Sequence, residues 1–133
     1  MKLLLPYLAV VATMIALDVL WIGVLARPLY LRGIGHLMAE QPNFVAALAF
    51  YLLYAIGLMA FVVLPRAPGD WQLAAAWGAL FGFVAYMTYD LTNLATLRDW
   101  PPGLSFIDMG WGCIATALAA TAGRLAADRF VAQ

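Results

Sequence analysis

Apolar residues run almost unbroken through four long stretches of this chain, and short polar clusters separate them. The stretches cover about residues 3–26, 43–64, 72–97 and 104–123. Each has the roughly 20 apolar residues that a helix needs to cross a hydrocarbon layer about 30 Å thick. Helix breakers mark their ends. Arg27-Pro28 follows the first stretch and Pro42 precedes the second. Pro65-Arg66-Ala67-Pro68-Gly69-Asp70 parts the second from the third, and Arg98-Asp99-Trp100-Pro101-Pro102-Gly103 parts the third from the fourth. Proline lacks the donor that continues a helix and biases its predecessor away from helix. Such short connections make neighbouring helices antiparallel.

The connection from Arg27 to Pro42 is longer and only half polar. Wound as a helix, it places Arg32, His36 and Glu40 on one face and Tyr30, Ile34, Leu37 and Met38 on the other. That is the pattern of a short helix lying in the membrane interface, although Gly33 and Gly35 weaken it. The predicted fold is thus all-α. It is an integral membrane four-helix bundle, one domain over residues 1–133, with a short interfacial helix between helices one and two. The first stretch has Lys2 at its start, as a signal peptide would. Its apolar run is too long, and Asp18 and Trp21 interrupt it, so it reads as a retained helix.

Composition agrees with the membrane class. The chain is 66% hydrophobic and 11% charged over 133 residues. A soluble domain of this size could not hide so much apolar surface. Seven Lys+Arg balance seven Asp+Glu, which leaves no basic patch for nucleic acid. Cys113 is the single cysteine and lies in an apolar stretch, so it reads as a packing residue, with no disulfide framework and no cysteine metal motif. His36, the single histidine, reads as a solvated interfacial residue and is a weak metal signal. No metal or cofactor is expected. Basic residues barely separate by side. With the N-terminus cytoplasmic, Lys2, Arg66, Arg124 and Arg129 lie inside, and Arg27, Arg32 and Arg98 outside. We read the N-terminus as inside, and an antiparallel dual-topology dimer stays open.

The chemistry lies in three aspartates inside the spans: Asp18, Asp90 and Asp108. A carboxylate at membrane depth costs roughly 3 to over 10 kcal/mol near the bilayer centre, so it must be paired, hydrated or protonated. Asp108 lies about four residues into its helix, on the order of 6 Å. Asp18 and Asp90 lie about seven or eight residues from the exits of theirs, roughly 11 Å. Alternating helix directions bring all three towards one membrane face. Arg27, Arg32 and Arg98 are available there as counter-charges. The third helix gathers Tyr86, Tyr89, Asp90, Thr92, Asn93 and Thr96 on one side, and Asp90 has the richest polar surround. Gly78 and Gly82 have GxxxG spacing, which allows close helix approach. The fourth helix aligns Ser105, Asp108, Gly112, Ala115, Thr116 and Ala119. Trp21 and Trp111 follow their aspartates at i+3, so Asp-x-x-Trp occurs twice. That hints at a repeat of two-helix units, on slight evidence. Both tryptophans read as packing or belt residues before ligand-stacking platforms, and Tyr51 and Tyr54 as packing or interfacial anchors. The bland alternative is that buried Asp–Arg or Asp–Tyr pairs simply fix helix register.

Several runs carry a family resemblance. They are Leu17-Asp18-Val19-Leu20-Trp21-Ile22-Gly23, Pro42-Asn43-Phe44-Val45-Ala46-Ala47, Phe50-Tyr51-Leu52-Leu53-Tyr54 and Gly78-Ala79-Leu80-Phe81-Gly82. Ala85-Tyr86-Met87-Thr88-Tyr89-Asp90-Leu91-Thr92-Asn93-Leu94-Ala95-Thr96 and Asp108-Met109-Gly110-Trp111-Gly112 complete them. In these the chain resembles the bacterial inner-membrane proteins of domain-of-unknown-function family 2177. The resemblance implies a compact four-helix, multi-pass protein of the bacterial inner (cytoplasmic) membrane. It implies no activity.

The best functional expectation is binding or transport of a small polar or cationic solute or ion at Asp18, Asp90 and Asp108, with Asn93, Tyr86, Tyr89, Trp21 and Trp111 around them. Four helices make a narrow path, so this reading favours a homodimer. Apart from lipid, the partners would be that solute and a second copy or a larger membrane complex. A second reading is an accessory or structural subunit of such a complex. A third is an intramembrane enzyme acting on a lipid or isoprenoid, with aspartates binding a divalent cation or serving as acid and base. No Ser/His or Cys/His set, HExxH or Walker motif supports an enzyme.

Overall fold

The computed structural model describes residues 1–131, and among them helix is the regular structure throughout. Helix α1 spans Leu4–Leu20 and widens into a π turn over Trp21–Leu25, where the Ala26 amide reaches back to the Trp21 carbonyl (2.7 Å). The short α2, Arg27–Ile34, starts on Pro28, whose missing N–H costs nothing in a first turn. Helix α3, Phe44–Leu58, is capped by Asn43, whose side chain accepts the Ala46 N–H (3.0 Å). It too ends in a π turn, Met59–Val63. Gly69, at φ +88°, turns the chain into α4, Trp71–Thr96. Asp99, at φ +58°, turns it again before α5, Pro102–Val131.

Among the described residues three helices are long and apolar enough to cross a membrane: Leu4–Leu25, Phe44–Val63 and Pro102–Phe130. At 26 residues α4 would be about 39 Å long, ample for a span. The polar residues in its second half keep it below the hydropathy of the other three. Two expected boundaries need correction. The last helix does not stop near Gly123 but continues to Val131, because Arg124 finds partners there. The segment after the first span is helical only to Ile34, then makes one 3₁₀ turn over Gly35–Leu37, so Glu40 lies in the following loop.

Helix α5 is the centre of the assembly, with α4 packed along one flank and α1 along another. The α4–α5 contact rests on missing side chains. A Cβ on Gly78 would sit 2.7 Å from that of Ala120, and one on Gly82 would overlap the Gly112 carbonyl and the Thr116 side chain. Gly112 in turn receives the Tyr86 ring. The α1–α5 contact pairs Val10 with Gly123 and Asp18 with Trp111, so the two helices run antiparallel. The main core joins Val10 and Met14 of α1, Leu58 of α3, Val62 and Val63 beyond it, and Ala115, Ala119 and Ala120 of α5.

A clasp holds the end away from the aspartates. The buried Arg124 guanidinium donates to the carbonyls of Val63 (3.0 Å) and Arg66 (2.9 Å) and pairs with Asp128 (2.8 Å). Asp128 also accepts the Gly69 N–H (3.1 Å).

Candidate functional site

Asp18, Asp90 and Asp108 are all buried and drawn together where α1, α4 and α5 meet. Their partners are not the expected arginines. Among the described residues the one side-chain ion pair is Arg124–Asp128, and Arg32 turns back to the Pro28 carbonyl. Phenols and indoles take the arginines' place. Asp18 accepts the Tyr51 hydroxyl at Oδ2 (2.7 Å) and the Trp111 indole N–H at Oδ1 (3.0 Å). Asp108 accepts the Tyr30 hydroxyl, and Tyr30 accepts the Trp21 indole N–H (3.3 Å). Burial, followed by the bond to Asp108, raises the pKa of the Tyr30 phenol well above its ordinary range, so it stays protonated and donates.

The two Asp-x-x-Trp segments interlock. In antiparallel helices, equal spacing brings the aspartate of each level with the tryptophan of the other. The Trp21 and Trp111 rings stack at 4.5 Å between centroids with planes 3° apart. Trp111 serves Asp18 directly, and Trp21 serves Asp108 through Tyr30. The tryptophans are therefore hydrogen-bond donors stacked on one another.

Asp90 stands apart. It is 1% exposed, its carboxyl approaches that of Asp108, and its Oδ2 has no hydrogen-bond partner among the described residues. Two carboxylates close together and away from water repel, and a proton or a cation beside them would relieve that repulsion.

Beside this network lies a cavity of about 450 Å³. Asp18 and Asp108 line it, together with Tyr30, Tyr51, Tyr54, Tyr86, Tyr89, Ile22, Phe50 and Ala85. No Lys or Arg does. Tyr54 also meets the Thr116 hydroxyl (2.7 Å).

Other expectations fare unevenly. The α5 face bearing Ser105, Asp108, Gly112, Ala115, Thr116 and Ala119 is buried. The single polar face expected of α4 splits in two. Tyr86, Asp90 and Asn93 turn inwards, and Tyr89 lies half exposed with its ring edge-on to Trp100 (5.5 Å). Thr88, Thr92 and Thr96 face outwards, each hydroxyl bonded to the carbonyl four residues back. That satisfies the hydroxyls within the helix and presents methyl groups to the surroundings. Tyr51 and Tyr54 pack against the main core, as expected, and also line the cavity. Tyr30 does not belong to an outer apolar face: it turns in to Asp108, and Ile34 packs with Trp100 and Leu104. Among the described residues no group of three or more His, Cys, Asp or Glu could hold a metal ion.

The family described as predicted membrane protein (DUF2177) matches residues 3–125. The chain belongs to that family. No curated protein and no solved structure matches it.

Proposed function

We propose that this member of the family is a four-span protein of the bacterial inner membrane that binds a small organic cation and exchanges it for protons. In this reading α4 is the fourth span, its apolar half facing lipid and its polar half facing α5 and the cavity. Helix α2 is the short surface helix that closes the site over Asp108. Residues 1–133 form one domain.

The observation that carries the reading is the makeup of the cavity. Two buried carboxylates and a set of tyrosine rings line it, without a basic side chain. A cation gains from carboxylate charge and from aromatic faces at once. A desolvated cation–π contact alone is worth about 2 kcal/mol or more. An anion would gain nothing there. The Asp90–Asp108 pair supports proton exchange, because its need for one positive charge can be met by a proton or by the bound cation, and less readily by both. Four helices enclose a narrow path, so transport favours a homodimer.

The test is binding of tetramethylammonium to the purified protein in lipid nanodiscs, by titration calorimetry with the pH recorded. We expect saturable binding, proton release on binding, and loss of both in Asp108→Asn. Binding that is absent in the wild type, or unchanged in Asp108→Asn, would overturn the proposal. Uptake of the same cation into proteoliposomes, driven by an opposing proton gradient, separates a transporter from a binder.

A further inference from the structure

One wall of the cavity is open between α3 and α4. Helix α3 touches α4 where the Tyr54 and Phe81 rings meet (5.3 Å) and where Gly57 faces Phe81. Towards its start, α3 parts from α4. Every residue from Phe44 to Phe50 is exposed, the alanines included, so no side of those turns is covered by the rest of the chain. A helix buried on one side would show a covered stripe every three or four residues. The cavity occupies the space so left, with Phe50, Tyr51 and Tyr54 on the α3 side and Ala85, Tyr86 and Tyr89 on the α4 side. Three of its lining residues, Ile22, Phe50 and Tyr89, are exposed, at 46%, 42% and 52%. They form an apolar and aromatic rim on helices whose outer faces are lipid-exposed if the chain spans the membrane. The acidic interior and the greasy rim belong to one continuous space.

We infer that the ligand is a cationic amphiphile. Its charged head lies against Asp18 and Asp108 among the tyrosines, and its hydrocarbon tail leaves between α3 and α4, past Ile22, Phe50 and Tyr89, into the lipid. This rests on the cation reading above and names the class of cation. Charge decides the head, since the cavity offers two carboxylates and no basic group. The lateral opening decides the tail. A wholly polar cation would need a water-facing mouth, whereas this mouth is rimmed by hydrophobic side chains. Access is sideways from the bilayer, and α3 can let it through without breaking any packing in its first two turns, since there is none to break.

The experiment measures binding of an alkyltrimethylammonium series, from methyl to octyl, to the protein in lipid nanodiscs. Free aqueous concentrations are used, and partitioning into protein-free nanodiscs is subtracted. Octyl sulfate and octyl maltoside serve as charge controls. We expect affinity to rise at least roughly tenfold between methyl and octyl, in line with burial of the added methylenes. The sulfate and the maltoside should not compete, and Asp18→Asn and Asp108→Asn should lose the whole series. Tetramethylammonium binding without chain-length dependence would overturn the amphiphile and leave the cation site standing. Competition by octyl sulfate equal to that of the ammonium would overturn the charged head. No binding by any member would overturn both readings. A dimer by mass photometry, with the series bound independently of chain length, would mean that a second copy fills the gap beside α3. If an aspartate variant fails to fold, the chain-length and charge comparisons on the wild type decide alone.

Discussion

The Asp18 environment gives a measurable coupling energy. Asp18 is 5% exposed, and two donors reach it: the Tyr51 hydroxyl at 2.7 Å and the Trp111 indole at 3.0 Å. Tyr51→Phe removes one donor and keeps the ring that packs edge-on to Phe50. Interhelical hydrogen bonds between neutral groups in membrane proteins average about 0.6 kcal/mol and reach about 1.7. A charged acceptor roughly doubles a hydrogen bond. Losing the hydroxyl should therefore cost about 1–2 kcal/mol while Asp18 is present. In an Asp18→Leu background the same change should cost about nothing or stabilise slightly, since the phenol would have lost its acceptor. The double-mutant cycle should return a coupling of about 1–2 kcal/mol. Reversible unfolding in mixed dodecyl sulfate and dodecyl maltoside micelles, followed by far-ultraviolet circular dichroism, reads it. Additivity within about 0.3 kcal/mol would refute the bond, because unlinked sites add to that precision.

Four further outcomes follow from the geometry. Gly82→Ala should lower stability by about 1–3 kcal/mol in the same unfolding assay, because its Cβ would overlap the Gly112 carbonyl. Gly110→Ala, which meets nothing within 4 Å, should be neutral or stabilising by up to about 1 kcal/mol. Arg124→Met should cost about 2 kcal/mol or more, since it strips a buried donor from two carbonyls and from Asp128; limited proteolysis should then cut between Pro65 and Asp70. The Trp21–Trp111 stack should give an exciton couplet in the circular dichroism near the indole band, absent in Trp21→Phe and in Trp111→Phe but retained in Trp77→Phe.

Four helices and most of their limits were legible in the chain, because apolar runs of span length and Pro-rich breaks are local signals. The exception at Gly123 is instructive. A polar residue looks like an end until its partners are known, and those of Arg124 come from the distant Val63 and Arg66 carbonyls. The clustering of Asp18, Asp90 and Asp108 was also legible, from depth and alternating direction. The split of α4 was legible in part: at about 100° per residue Thr92 lies on nearly the opposite side of the helix from Asp90, and grouping both on one broad polar face overlooked that.

Asp–Tyr pairing was legible, and so were Tyr86 and Tyr89 near the site, but Tyr51 and the two indoles were not seen as the donors, and a count of donors within the spans would have found them. No Lys or Arg lies within residues 3–26, 43–64, 72–97 or 104–123, so no intraspan cation could reach a buried carboxylate without dragging a guanidinium in from the ends. What those stretches do contain is phenols and indoles. Each has an apolar body that a membrane tolerates and one donor for a carboxylate oxygen. The same choice bears on function. An Asp–Arg pair is internally neutral and offers nothing to a visiting cation. A carboxylate bonded only to phenol and indole has no counter-charge beside it, in surroundings that present aromatic faces. Asp18 and Asp108 are held that way, and Asp90 is held by neither phenol nor indole, with an oxygen still unbonded. Under the cation reading proposed above, that missing counter-charge is what a proton or a bound cation would supply.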